Sequence, residues 1–421
     1  MHHFNYRNGQ LSAEEVPLSR IAETAGTPTY VYSRATLTRH FEAFEKALGS
    51  REHLICYSVK ANGNLAVLKL LGQLGAGADV VSGGELYLAL KAGIPASKIC
   101  FSGVGKTEKE LATALDSGIL MFNVESLPEL TTLNRVAQEK GLKAPVAIRV
   151  NPDVDPLTHP YISTGLRENK FGLDVERALI AYQKAMNMLN LEVVGLDCHI
   201  GSQLTGLTPF AETVRRLRAL LERVEAEGIR IRYLDLGGGL GITYNDEEPP
   251  SPDEYAATLV KEMEGIETTL ILEPGRVMAG NAGILLTRVI YLKETDEKRF
   301  VIVDAAMNDL LRPGLYGAYH DIIPVKEPGP PVGTFDVVGP VCESTDWLAK
   351  GRSLPRLEPG DLLAVMSAGA YGFAMASNYN ARPRPAEVMV SGSRMAVVRE
   401  RETMEDLVRG QICPEFLLEG E

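Results

Sequence analysis

The 421-residue sequence predicts an α/β protein, a (β/α)8 barrel followed by a mostly β C-terminal domain. Two observations carry that prediction. Between residues 50 and 277 eight short β-rich runs alternate with seven helical patterns, and after residue 280 this rhythm gives way to alternating Val, Ile and Thr runs broken by Pro- and Gly-rich turns. Strands that alternate with helices build a parallel sheet, and eight such units close it into a barrel.

The β-rich runs are 54–59, 78–81, 98–102, 119–124, 146–150, 194–199, 231–236 and 269–272, each followed by Gly, Asn, Ser or Pro. These residues punctuate strands because they favour turn backbones. Apolar residues recurring every three or four positions predict the seven helices between strands, among them 65–74, 85–92, 127–139, 175–190 and 210–227, with an eighth at 35–48 before the first strand. Downstream, 300–304, 333–338, 361–366 and 386–390 read as strands of the second domain, to which Thr29-Tyr30-Val31-Tyr32 can add another. The expected organisation is an N-terminal segment (1–34) pairing with the β domain, a barrel (35–279) and a β domain (280–421) that contributes substrate-binding and catalytic residues.

Bulk properties exclude several classes of function. Hydrophobic residues make up 45% and charged residues 23%, the balance of a folded globular chain. The net charge of −12 comes without a Lys/Arg block of the kind a nucleic-acid groove or membrane patch needs, which points to a small-molecule partner. No 18-residue apolar stretch is present, and Met1-His2-His3-Phe4-Asn5-Tyr6 lacks the apolar core of a signal peptide, so a cytoplasmic location is expected. The five cysteines show no CxxC spacing, and neither a disulfide framework nor a zinc site is expected. Cys56, Cys100 and Cys198 sit in apolar runs and read as inert core, whereas Cys342 lies among the polar and turn residues of 339–344.

In a barrel of this kind functional residues lie where strands end. The first run ends in Tyr57-Ser58-Val59-Lys60-Ala61-Asn62, which places Lys60 at the mouth of an apolar barrel. Desolvation there can lower a lysine pKa as a Schiff-base amine requires, although a solvated strand-end charge is the plainer reading of one lysine alone. The sixth ends in His199-Ile200-Gly201-Ser202-Gln203, where the histidine is either a hydrogen-bonded structural residue or one that stacks on a ring. The seventh ends in Asp235-Leu236-Gly237-Gly238-Gly239-Leu240-Gly241. Such glycines let backbone N–H groups approach an anion, a flexible loop being the alternative. The eighth ends in Glu273-Pro274-Gly275-Arg276. A buried carboxylate beside a pyridine nitrogen keeps that nitrogen protonated, and arginine offers a fork for phosphate or carboxylate, the alternative being a surface ion pair. Together the four strand ends supply an imine lysine, a stacking imidazole, a phosphate cradle and a pyridinium partner.

With these motifs the sequence resembles the alanine-racemase-like barrel family of pyridoxal 5'-phosphate (PLP) decarboxylases, from Thr27-Pro28-Thr29-Tyr30-Val31-Tyr32 through the four strand ends and into the β domain. Asn308-Asp309-Leu310-Leu311-Arg312-Pro313-Gly314-Leu315-Tyr316 is similar to that family's substrate segment. Residues 339–346 are similar to its catalytic Cys-Glu segment, and Gly369-Ala370-Tyr371-Gly372 to its PLP-contacting tyrosine motif. The resemblance implies that Lys60 carries the cofactor as a Schiff base, that His199 stacks on its ring, and that Glu273 pairs with its pyridine nitrogen. It further implies a phosphate site at Ser202, Gly239 and the Gly275-Arg276 turn, with Gly238 and Asp79 also cofactor-binding, and Asp79 and Arg149, at the ends of the second and fifth strands, backing the residues that touch the cofactor. Arg276, Arg312 and Tyr316 would hold substrate carboxylate, Glu343 the distal ammonium and Tyr371 cofactor or substrate, with Cys342 as proton donor. In the family the Cys-Glu segment reaches a neighbour's barrel, implying a homodimer with shared active sites.

The opposite charges of Arg312 and Glu343 suit a distal group bearing both carboxylate and ammonium. That implies meso-2,6-diaminopimelate as substrate, with L-lysine and CO2 as products, the last step of lysine biosynthesis. A decarboxylase of ornithine, arginine or carboxynorspermidine would place other charges there. A racemase would keep a tyrosine base in place of the Cys-Glu segment, and a non-catalytic relative would be expected to lose Lys60 or Cys342, both of which are present.

Overall fold

The computed structural model describes residues 2–154 and 170–417. The chain divides into two compact units, one of Met1–His2 with Arg34–Ala282 and the other of His3–Ser33 with Gly283–Glu421.

The first unit is a closed parallel barrel. Its strands, in chain order, are His53–Ser58, Gly77–Val80, Ile99–Phe101, Met121–Val124, Ala144–Arg149, Leu191–Asp197, Tyr233–Asp235 and Thr269–Leu272. The last pairs with the first in parallel, Leu270 opposite His53 and Leu272 opposite Ile55, which closes the ring. Each strand falls within two or three residues of its expected run. Residues Cys56, Cys100, Met121, Ala147, Val194 and Ile271 pack as one fully buried cluster. The barrel interior is therefore a filled core, and chemistry is left to the strand ends.

The helices between strands start and stop for local reasons. Helix Gly83–Ala92 begins where the Ser82 hydroxyl accepts the Glu85 N–H and ends at Gly93, whose φ of 90° suits a residue without Cβ. Helix Glu108–Ser117 carries a complete capping box between Thr107 and Glu110, and helix Pro252–Glu262 one between Ser251 and Glu254. Their apolar faces, such as Leu111, Ala114 and Leu115, are buried while their charged faces are exposed.

The second unit is built on a sheet whose central strand, Gly283–Glu294, runs antiparallel to Thr29–Ser33 on one side and Arg299–Val303 on the other. Thr29–Ser33 also pairs in parallel with Ala386–Ser391, so an N-terminal strand lies inside the C-terminal sheet. Phe4, Leu11, Val31, Ile284, Leu286, Val388 and Val390 form its buried core. At about 1.5–3 kcal/mol for each fully buried large apolar side chain, this cluster ties the N-terminal segment to the sheet. Helix Leu18–Ala25 and the small sheet of Phe4–Arg7, Gln10–Ala13 and Val16–Pro17 were not apparent from the sequence pattern.

Candidate active site

Lys60 lies in the single helical turn Val59–Ala61 that follows the first barrel strand. Its Nζ donates to Asp79 Oδ2 at 2.8 Å, and Asp79, on the second strand, is fully buried. Burial alone would raise the Asp79 carboxyl, but the Lys60 ammonium and hydrogen bonds from Lys60, Ser58 and Ser102 outweigh it and hold the group below its ordinary value. Ser58 Oγ sits 3.0 Å from Asp79 Oδ2 and 2.9 Å from the Glu273 carbonyl oxygen, which joins the first, second and eighth strand ends.

Glu273 follows the eighth strand, and its backbone N–H donates to Gly237 O at 2.7 Å. The side chain is buried, and Oε1 has no hydrogen-bond partner among the described residues. Single carboxylate oxygens of Asp197, Asp235 and Glu273 lie within 4.8 Å of one another. Burial, then repulsion from Asp235 and Asp79, pushes the Glu273 carboxyl well above its ordinary value. Burial, then Asp197, does the same to Asp235, and burial pushes Asp197 up to about 7 even with Arg149 opposing it. Such a cluster holds protons that separate solvated carboxylates would release.

Arg149 ends the fifth strand and donates to Glu125 Oε1 at 2.8 Å, with Asp197 Oδ2 3.7 Å from its Nε. Burial disfavours this guanidinium, but Asp197 and Glu125 keep its pKa above the ordinary arginine value.

His199 follows the sixth strand. Its Nδ1 accepts the Gly238 N–H at 3.2 Å, so a neutral ring carries its proton on Nε2. Burial, then the charges of Arg149 and Lys60, pushes the imidazole down to about 3, and it is neutral at physiological pH. The glycines beside it are required by close approach. A Cβ on Gly238 would stand 2.4 Å from the Glu273 carbonyl oxygen, and one on Gly239 2.7 Å from Gly201 O. The loops after strands six, seven and eight can therefore meet only where the seventh supplies bare backbone. Gln203 adds a second clasp, donating to Ile242 O at 2.6 Å and accepting the Ile242 N–H at 3.1 Å.

Ser202 and Arg276 come together in this cluster. Arg276 Nε and one terminal nitrogen lie 3.3 and 3.2 Å from Ser202 Oγ, and its other terminal nitrogen donates to Tyr244 OH at 2.7 Å. Gly275 forms the N-cap of the turn Arg276–Ala279. A hydroxyl, a guanidinium and close-packed glycine backbone form the donor set a phosphate monoester needs.

The remaining expected residues lie in the second unit. Arg312 and Tyr316 are the first and last residues of one short helix, with the guanidinium 5.9 Å from the Tyr316 ring centroid. Cys342 and Glu343 are exposed at the tip of a loop. Its base is held by buried Asp346, which accepts N–H groups from Met307 at 2.7 Å and Val341 at 2.6 Å. The Cys342 N–H donates to Asn380 Oδ1 at 2.8 Å. Tyr371 has a φ of 56°, a left-handed conformation uncommon for a non-glycine residue. Asp197, Asp235 and His320 were given no role from the sequence. A carboxylate near the end of an apolar strand was the available signal for the two aspartates.

The donor set suits pyridoxal phosphate. A buried, unpartnered carboxylate oxygen among other carboxyl groups calls for a cationic donor such as a pyridinium N–H, and an amine stands at the adjoining first strand end and a neutral imidazole at the sixth. Comparison with known proteins agrees. The pyridoxal-binding domain of the pyridoxal-dependent decarboxylases matches residues 34–280. A Vibrio cholerae diaminopimelate decarboxylase is 58% identical over 409 residues, covering 97% of this chain and 98% of that protein. The solved structure of a Helicobacter pylori diaminopimelate decarboxylase complexed with L-lysine is 45% identical, with a TM-score of 0.90 over 93% of this chain and 98% of that one. Another, from M. jannaschii and also in complex with L-lysine, is 42% identical with a TM-score of 0.93, covering 99% of this chain and 100% of that one.

Proposed function

The chain belongs to the pyridoxal-dependent decarboxylases, and from that premise we infer that it converts meso-2,6-diaminopimelate to L-lysine and CO2 with pyridoxal 5'-phosphate as cofactor. The observation that carries this conclusion is the 58% identity to a diaminopimelate decarboxylase over 97% of the chain. The meso substrate has one D and one L centre, and a product that is L-lysine retains the L centre. The carboxylate lost is therefore the one on the D centre.

When bound, the cofactor supplies the electron sink into which the bonding pair between Cα and the departing carboxylate is drawn. In our reading Lys60 Nζ tethers it, and Asp79 holds that nitrogen in place. Glu273 Oε1 keeps a proton at the pyridine nitrogen, for which its burial among Asp235 and Asp197 is the support. His199, neutral and fixed by Gly238, stacks on the ring without adding a competing charge. Ser202, Gly238, Gly239, Gly275 and Arg276 hold the phosphate. Arg312 and Tyr316, with Arg276, grip substrate carboxylate, Glu343 meets the distal ammonium, Tyr371 touches cofactor or substrate, and Cys342 Sγ delivers the proton that replaces CO2.

The same reading makes the enzyme a homodimer whose Cys342-Glu343 loop completes the partner's site. Its support is a loop with an exposed tip and a firmly bonded base. It also places the enzyme in the cytoplasm, where the exposed thiols of Cys342 and Cys413 would stay reduced. Among the described residues no helix is long and apolar enough to cross a membrane.

A side-by-side assay of CO2 release from meso-diaminopimelate, L-ornithine and L-arginine tests the function. The expected result is release from the first alone, with L-lysine formed in equal amount. Comparable release from ornithine or arginine would overturn the substrate, and none from any would overturn the activity.

A further inference from the structure

His320 belongs to none of the motifs described above, yet it is fully buried and, from a position 8 residues along the chain, its ring touches the Arg312 guanidinium. Its Nδ1 lies 2.9 Å from the Met366 carbonyl oxygen, an atom that can only accept, so the proton of the neutral ring sits on Nδ1. Nε2 then presents a lone pair, and Arg312 Nε, a donor with no acceptor capacity, stands 3.4 Å from it. One tautomer satisfies both contacts. The histidine is itself pinned, since its carbonyl oxygen accepts from Arg352 at 3.1 Å and that guanidinium lies 3.5 Å from the Tyr319 ring centroid.

We propose that His320 is a positioning residue for Arg312, setting the plane of the guanidinium that receives the distal carboxylate of the substrate. The inference rests on the assignment of Arg312 to that carboxylate. A carboxylate grip depends on the plane and direction of the guanidinium fork, and a hydrogen bond at Nε restricts rotation about the last side-chain bonds. The distal carboxylate is present in both meso-diaminopimelate and L-lysine and does not react. Its loss of grip should therefore appear in binding rather than in turnover.

The test uses the full-length holoenzyme with His320→Leu, His320→Asn, His320→Gln and Arg312→Leu, the fold of each checked by thermal denaturation. Calorimetry measures binding of L-lysine and of 1,5-diaminopentane, which is L-lysine without its carboxylate. The leucine variant, and the asparagine variant, whose shorter chain can still reach Met366 O but not Arg312, should weaken L-lysine about tenfold and raise KM for meso-diaminopimelate by a similar factor. Turnover number and 1,5-diaminopentane affinity should stay within about twofold. Glutamine, whose Oε1 can take the place of Nε2, should restore most of the L-lysine affinity. Unchanged L-lysine affinity in the asparagine and leucine variants, or equal weakening of both ligands, would overturn the proposal. Should the leucine variant not accumulate as folded protein, the asparagine variant carries the same expectation. If Arg312→Leu itself spares L-lysine relative to 1,5-diaminopentane, it is the assignment of Arg312 that fails.

Discussion

Lys60 Nζ lies 2.8 Å from Asp79 Oδ2, so the flexible amine of the first strand end is tied to a fully buried carboxylate on the second. Replacement of that carboxylate by an amide keeps the shape and removes the charge. Asp79→Asn should raise the dissociation constant for pyridoxal phosphate by about tenfold, since one charge-assisted hydrogen bond is lost at the tether. Absorbance titration of the cofactor into apoenzyme checks this.

Glu273 should matter for turnover more than for occupancy. Burial, then its carboxyl neighbours, push the Glu273 carboxyl above its ordinary value and so favour a proton at this site, and its buried Oε1 has no hydrogen-bond partner among the described residues. Glu273→Gln cannot balance a pyridinium charge, and its turnover number should fall by at least about 100-fold while cofactor content stays near that of the parent enzyme. Steady-state kinetics beside cofactor quantification separates the two effects.

His199 makes the apoprotein acid-sensitive. Its folded pKa is depressed to about 3, so its contribution to stability is complete above the unfolded value near 6.5 and is lost as pH falls from there towards 3. The unfolded chain binds a proton that the folded chain refuses, at up to about 1.4 kcal/mol per pH unit within that window. His199→Gln should show a shallower decline of unfolding free energy between pH 6 and 4. Urea denaturation across that range measures the slope, and an unchanged slope would contradict the burial argument.

The placement of the candidate residues was readable because a barrel converts position along the chain into position around a mouth. Lys60, the glycine run and Glu273 each follow an apolar run by one to three residues, and that offset alone put them at the strand ends. Asp197 and Asp235 were not readable in the same way. They occupy the last strand positions, and their closeness to Glu273 is a property of the closed ring. His320 was beyond reach of any local pattern. Its partner carbonyl on Met366 comes alongside because Ile322–Pro324 pairs antiparallel with Leu362–Val365, Ile322 opposite Val365. Short elements escaped for a different reason. Helix Leu18–Ala25 spans barely two turns, too few for its apolar face to stand out from the surrounding strands.

Borohydride reduction of the holoenzyme, followed by peptide mapping, tests the central assignment most directly. The yellow absorbance of the bound cofactor should disappear on reduction, and a single peptide, the one containing Lys60, should carry the added mass of a pyridoxyl phosphate group. Attachment at any other lysine, or a reduced protein that carries no added mass, would contradict the account.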